Sequence, residues 1–107
     1  MPFDDDSLRS ERSWVDSKLA WDPSKEAKNR RKHGVSFWEA ATVLSDVLSV
    51  TVSDPRFENA VEPRFITIGT SDRGRLLLVV HADRDEIVRI ISARKPTKQE
   101  RTQCEEG

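Results

Sequence analysis

A chain of 107 residues, 36% hydrophobic and 35% charged, has material for one domain with a modest core and not for two. Its formal net charge of −1 excludes a uniformly basic nucleic-acid binder, and its single cysteine, Cys104, excludes an intrachain disulfide and fits a reducing compartment. No apolar run approaches the roughly 20 residues of a membrane span, and the acidic N-terminus lacks the hydrophobic stretch of a secretory signal. The cytoplasm is therefore expected, with no membrane partner.

The charge is unevenly spread. Residues 1–17 set five carboxylates (Asp4, Asp5, Asp6, Glu11 and Asp16) against Arg9 and Arg12, which leaves +2 for residues 18–107. Residues 1–17 read as an acidic, flexible leader and residues 18–107 as the domain. Asp22-Pro23 opens a first helix, because the aspartate oxygen can accept orphan backbone N–H groups and proline suits the first helical position. Gly34 ends it, after a basic cluster of Lys25, Lys28, Arg30, Arg31 and Lys32. A second helix starts at Ser36-Phe37-Trp38-Glu39, a capping-box spacing, with Phe37, Ala40, Ala41 and Leu44 as its apolar face.

The period then changes to that of strands. Val47–Ser53, Arg64–Gly69, Arg75–His81 and Ile87–Arg94 are expected strands, separated by the turn signals Asp54-Pro55, Thr70–Gly74 and Asp83–Glu86. Short connections make the last three an antiparallel meander. Thr97-Lys98-Gln99-Glu100 is a further capping box and opens a terminal helix. The expected fold is α+β: two N-terminal helices, a four-stranded antiparallel sheet and a short C-terminal helix.

Trp21-Asp22-Pro23-Ser24-Lys25, Asn29 and Lys32-His33-Gly34-Val35-Ser36-Phe37 together resemble the opening of BrnT-type toxins. Glu62-Pro63-Arg64, Ile68-Gly69, Gly74-Arg75, Val79-Val80 with Arg84, and Arg89-Ile90-Ile91-Ser92-Ala93-Arg94 follow in the order of that family, over roughly residues 19–106. The resemblance implies a RelE-like fold, RNA cleavage that stops translation, and neutralisation by a BrnA-type antitoxin in a hetero-oligomer. It implies contact with promoter DNA only through the antitoxin complex. The acidic leader precedes the family's usual start, and Cys104 stands where an aromatic residue is expected.

A metal-free ribonuclease turns the substrate's own 2′-hydroxyl on the adjacent phosphate. It needs a base for that proton, an acid for the departing 5′-oxygen and cations for the developing charge. No cofactor motif and no metal-ligand spacing is present, since the two histidines lie 48 positions apart. His33, at the end of the basic helix where the dipole favours its protonated form, is a candidate acid–base group or else a helix-capping residue. Glu62 and Arg64, two apart at a strand start, are a candidate base and phosphate clamp or else a surface ion pair. Arg89, set inside Ile87-Val88-Arg89-Ile90-Ile91, needs either a partner such as Glu62 or a wet groove facing substrate phosphate. Arg94, on the opposite parity of the same strand, is freer to reach a ligand.

Lys25, Lys28, Arg31 and Lys32 can track an RNA backbone or form a solvated helix face. Arg84 joins them only through the resemblance. His81, which shares a strand face with Leu77 and Val79, reads as a satisfied sheet histidine. The competing functional readings are a non-catalytic module that binds protein or nucleic acid, and a toxin whose chemistry has decayed.

Overall fold

In the computed structural model, which describes residues 18–106, the helix starts read from the sequence are in place. Helix α1 (Pro23–His33) is capped by Asp22, whose Oδ1 accepts the Ser24 N–H at 2.8 Å. It stops at Gly34, whose φ of 70° is open to glycine without strain and whose N–H caps the Arg30 carbonyl. Helix α2 (Phe37–Val43) follows at once, with Ser36 Oγ accepting the Glu39 N–H at 3.0 Å. The terminal capping box is formed in both directions. Thr97 N–H donates to Glu100 Oε1 at 2.8 Å and Glu100 N–H to Thr97 Oγ1 at 3.1 Å, opening α3 (Lys98–Glu106).

The sheet has five strands rather than four, and it is mixed rather than antiparallel. Strands β1 (Lys18–Ala20), β2 (Val50–Ser53), β3 (Phe65–Thr70), β4 (Leu76–Arg84) and β5 (Ile87–Arg94) lie in the order β1-β5-β4-β3-β2. The expected meander is present as β3, β4 and β5, joined by antiparallel pairing, with β2 antiparallel on its outer edge. Strand β1 precedes both helices and runs parallel to β5. Its three residues carry no alternation of their own, and their place is set by main-chain bonds such as Lys18 N–H to the Glu86 carbonyl at 2.8 Å. The expected leader, residues 1–17, lies outside the described residues.

Several strand boundaries differ from expectation. Val47 and Leu48 are not in β2, because Asp46 pulls the chain into a turn by accepting the Leu48 and Thr70 N–H groups. The close approach of this turn to β3 requires Gly69, where a Cβ would sit 2.8 Å from Ser49 Cβ. Arg64 stops short of β3, held instead by its carbonyl to the Asp54 N–H. Strand β4 continues through Asp83 and Arg84 to a tight turn in which Asp85 takes a φ of 56°, a conformation aspartate tolerates better than most residues.

The two faces of the sheet are treated unequally. Helices α1 and α2 cover one face, where Val35, Phe37, Ala40, Ala41 and Val43 pack on Leu77, Val79, Ile90 and Ala93. Glu39, expected to close the α2 capping box, is instead buried and accepts from Arg75 and Ser71, which ties α2 to the β3–β4 turn. A second tie is Asn29, buried in α1. Its Nδ2 donates to the carbonyls of Val35 and Ala93 (both 2.9 Å), and its Oδ1 accepts the Ala93 N–H at 3.1 Å.

Asn29→Ala leaves three buried backbone groups without a partner, so it should lower stability by about 3 kcal/mol in urea unfolding. Asn29→Asp should also destabilise despite its matching shape, because a carboxylate offers no N–H to the two carbonyls. Near-wild-type stability of the aspartate variant would contradict this account.

Candidate active site

Strand β5 is the spine on which the candidate groups gather. Simple alternation would send Arg89 and Arg94 to opposite faces. The structure brings them to the same one. The β4–β5 register slips between Val80 and His81, pairing Val80 with Ser92 but His81 with Ile90, so Ile91 is an extra, bulged residue. Ile90 and Ala93 consequently both point into the helix-covered core, while Arg89, Ser92 and Arg94 face the open side.

At one end of β5, Arg89 is paired with Glu62 of the loop before β3. Of the two roles open to Arg89, the carboxylate partner is therefore present, and the pair remains partly exposed. Glu62 and Arg64 do not act together as neighbours. Glu62 turns to Arg89, while the Arg64 guanidinium lies over the Phe57 ring, 4.4 Å from its centroid. At the other end, Arg94 holds Glu100 of α3 through two bonds of 2.8 and 3.0 Å. Beside it Asp54 is buried and grips Arg56 at 2.7 and 3.0 Å, so its carboxyl sits below the usual range. Arg94, Arg56, Asp54, Ser92 and Glu100 line a single cavity of about 500 Å³ over Ile66, Leu78 and Val80.

Beyond Arg89, the edge of β5 away from β4 has no strand beside it among the described residues, and α1 lies along that edge instead. Lys25, Lys28, Lys32 and His33 line a cleft of about 280 Å³ with Asn29, Ile91 and Ser92. His33 makes no side-chain hydrogen bond among the described residues, and the capping role is taken by the Gly34 backbone. Ser92 lines both this cleft and the arginine cavity, so the two are adjacent across β5. Arg31 is exposed but does not line the cleft, and Arg84 stands at the β4–β5 turn, away from both. His81 is buried, with Nδ1 2.6 Å from Asp83 Oδ1 and Nε2 2.8 Å from Thr67 Oγ1, as expected for a satisfied sheet histidine.

Reading the residues in sequence missed Arg56, Asp54, Ser92 and Glu100 as members of this site. Asp54-Pro55 carried only a turn signal. Glu100 was visible as a capping residue, but nothing in the chain order shows that a capping carboxylate also reaches Arg94.

The chain is thus an α+β protein with a cation-bearing open face and a basic cleft at one sheet edge. A family model described as the ribonuclease toxin, BrnT, of type II toxin–antitoxin systems matches residues 21–100. The chain belongs to the BrnT family of ribonuclease toxins, and a toxin of this type has an antitoxin partner. The fold is similar to the crystal structure of the Brucella abortus ribonuclease toxin BrnT, with a TM-score of 0.56 and 22% identity over 77% of this chain and 99% of that one. No curated protein matches it significantly in sequence.

Arg94, with help from the Thr97 backbone, holds the Glu100 carboxyl down at about 2, against an ordinary value of 4.5. The folded state therefore favours ionised Glu100. The stability this contributes is complete above 4.5 and is lost as pH falls from there through about 2. Carbon NMR of the Glu100 carboxyl should show a midpoint near 2, with the start of α3 loosening across that window. A midpoint near 4.5 in the folded chain would show that the pair is not formed in solution.

Proposed function

We propose that this toxin cleaves RNA by metal-independent acid–base chemistry along β5, inhibits translation in the cytoplasm, and is neutralised by a BrnA-type antitoxin in a hetero-oligomer. On this reading promoter DNA is met only through the antitoxin complex, and the fold is of the RelE type. The observation that supports it best is the gathering of Glu62–Arg89, the His33 cleft and Arg94 along one strand, with Arg64 and Arg56 nearby. At about 3.3 Å per residue, Arg89 to Arg94 spans roughly 16 Å, the scale of a short stretch of single-stranded RNA.

In this scheme Lys25, Lys28 and Lys32 hold the backbone, with Arg31 and Arg84 as outer contacts. Arg94, Arg89 and Arg64 stabilise the charge that grows on the phosphate as the 2′-oxygen attacks. Glu62 takes the 2′-hydroxyl proton and His33 returns one to the departing 5′-oxygen, giving a 2′,3′-cyclic phosphate and a 5′-hydroxyl. The second reading, a binding module without catalysis, draws on one observation. Arg89 and Arg94 each already hold a carboxylate in the free chain.

Single-turnover cleavage of single-stranded RNA in EDTA separates the two. Arg94→Ala should slow cleavage by about 100- to 1,000-fold and His33→Ala by at least about 100-fold, while Arg84→Ala changes it little. Absence of cleavage by the wild-type chain, free or ribosome-bound, with RNA affinity merely shifted by the same variants, would favour the binding module.

A further inference from the structure

Much of the open face serves none of the chemistry proposed above. Val50, Val52, Ile66, Ile68 and Leu78 line a groove of about 460 Å³ whose outer wall is Glu100 and Gln103 of α3. Val50 and Val52 are 46% and 54% exposed. An apolar groove rimmed by polar groups marks a surface that is covered in use.

The register arranges these side chains in two rows across the strands. One runs Val50, Ile68, Leu78, Arg94 and the other Val52, Ile66, Val80, Ser92. Each row starts at an exposed valine on the free edge and ends in a polar residue on β5. Neighbouring strands are about 4.8 Å apart and a helical turn advances about 5.4 Å, so side chains one turn apart can follow a row strand by strand. At the far end, Arg94 already binds a carboxylate carried by a helix, namely Glu100. The internal pair shows what the end of the groove accepts.

We propose that this groove receives an amphipathic helix of the antitoxin. Apolar residues at successive turns lie over β2, β3 and β4, and a carboxylate one turn further takes Arg94 from Glu100. The proposal rests on the reading of the chain as an antitoxin-neutralised toxin. RNA has no use for the valine and isoleucine rows. A second copy of this chain, docked by the same face about a two-fold axis, would set each arginine end against the other's valine edge and supply no carboxylate. An acidic amphipathic partner satisfies both ends.

The test uses the full-length chain and the product of the adjacent gene. Val52→Glu, at an exposed position outside the proposed chemistry, should weaken that complex at least about 100-fold by titration calorimetry, with circular dichroism and RNA cleavage unchanged. Gln103→Trp, on the opposite wall, should give the same loss without touching the sheet, and keeps the test decisive should Val52→Glu misfold. Glu100→Gln, which releases Arg94, should tighten the complex. Unchanged affinity in both groove variants overturns the proposal while leaving the toxin reading intact. Loss of a homodimer in place of the complex assigns the groove to a second copy and overturns it as well. A wild-type chain that does not bind the neighbouring product at all defeats the antitoxin reading itself, and the proposal with it.

Discussion

The placement of the site depends on one buried side chain, Asn29. Strand β1 covers β5 only from Ile87 to Arg89, so the rest of β5 would present a bare edge with unpaired main-chain groups. Asn29 meets that need from a helix, exchanging two hydrogen bonds with the Ala93 backbone as a neighbouring strand would. Its remaining N–H reaches the Val35 carbonyl and fixes the turn between α1 and α2. The basic helix is thereby locked against the one strand that carries Arg89 and Arg94. The cleft of Lys25, Lys28, Lys32 and His33 is a consequence of that junction.

A second constraint is the shortage of chain. Helices α1 and α2 suffice to cover one face of a five-stranded sheet, and the nine residues of α3 border the other without roofing it. Charge is distributed to match. The buried Glu39 is satisfied by Arg75 and Ser71 at the margin of the helix layer, where Arg75 can still reach water. The arginines that face the open side are each balanced by a nearby acid or laid over a ring. A face of this kind stays exposed in the free protein without leaving an isolated buried charge.

Much of this was readable from local chemistry. Asp22-Pro23, Gly34, Ser36 and the Thr97–Glu100 box each act within a few residues of themselves, so their helix ends appear where expected. The β3–β5 meander follows from short turns. What was not legible depends on partners distant in sequence. Strand β1 exists because β5 lies beside it. Glu39 abandons its box because Arg75 and Ser71 arrive from 32 to 36 residues away. The bulge at Ile91 has no marker such as glycine, yet it inverts the parity that had placed Arg89 and Arg94 on opposite faces. The candidate site shared that limit: its cations were identifiable by type, and their common face was not.

That Arg89 and Arg94 arrive already paired bears on how such a face can work. A carboxylate on Arg94 or Arg89 carries one negative charge in a geometry close to that of a phosphodiester oxygen pair. On the proposed function, exchanging one for the other gains little, so substrate in its ground state would bind these arginines weakly. The phosphorane formed by 2′-oxygen attack carries a further negative charge, which the displaced carboxylate cannot match. The exchange then favours the transition state over both the substrate and the internal partner, the differential binding that catalysis requires. On the proposed function, Glu62 and Glu100 hold the arginines in register and suppress ground-state affinity for RNA in general. On the proposed docking, the same logic would favour an acidic antitoxin, whose apolar residues would reach Val50, Val52, Ile66 and Ile68, contacts that neither Glu100 nor a phosphate can supply.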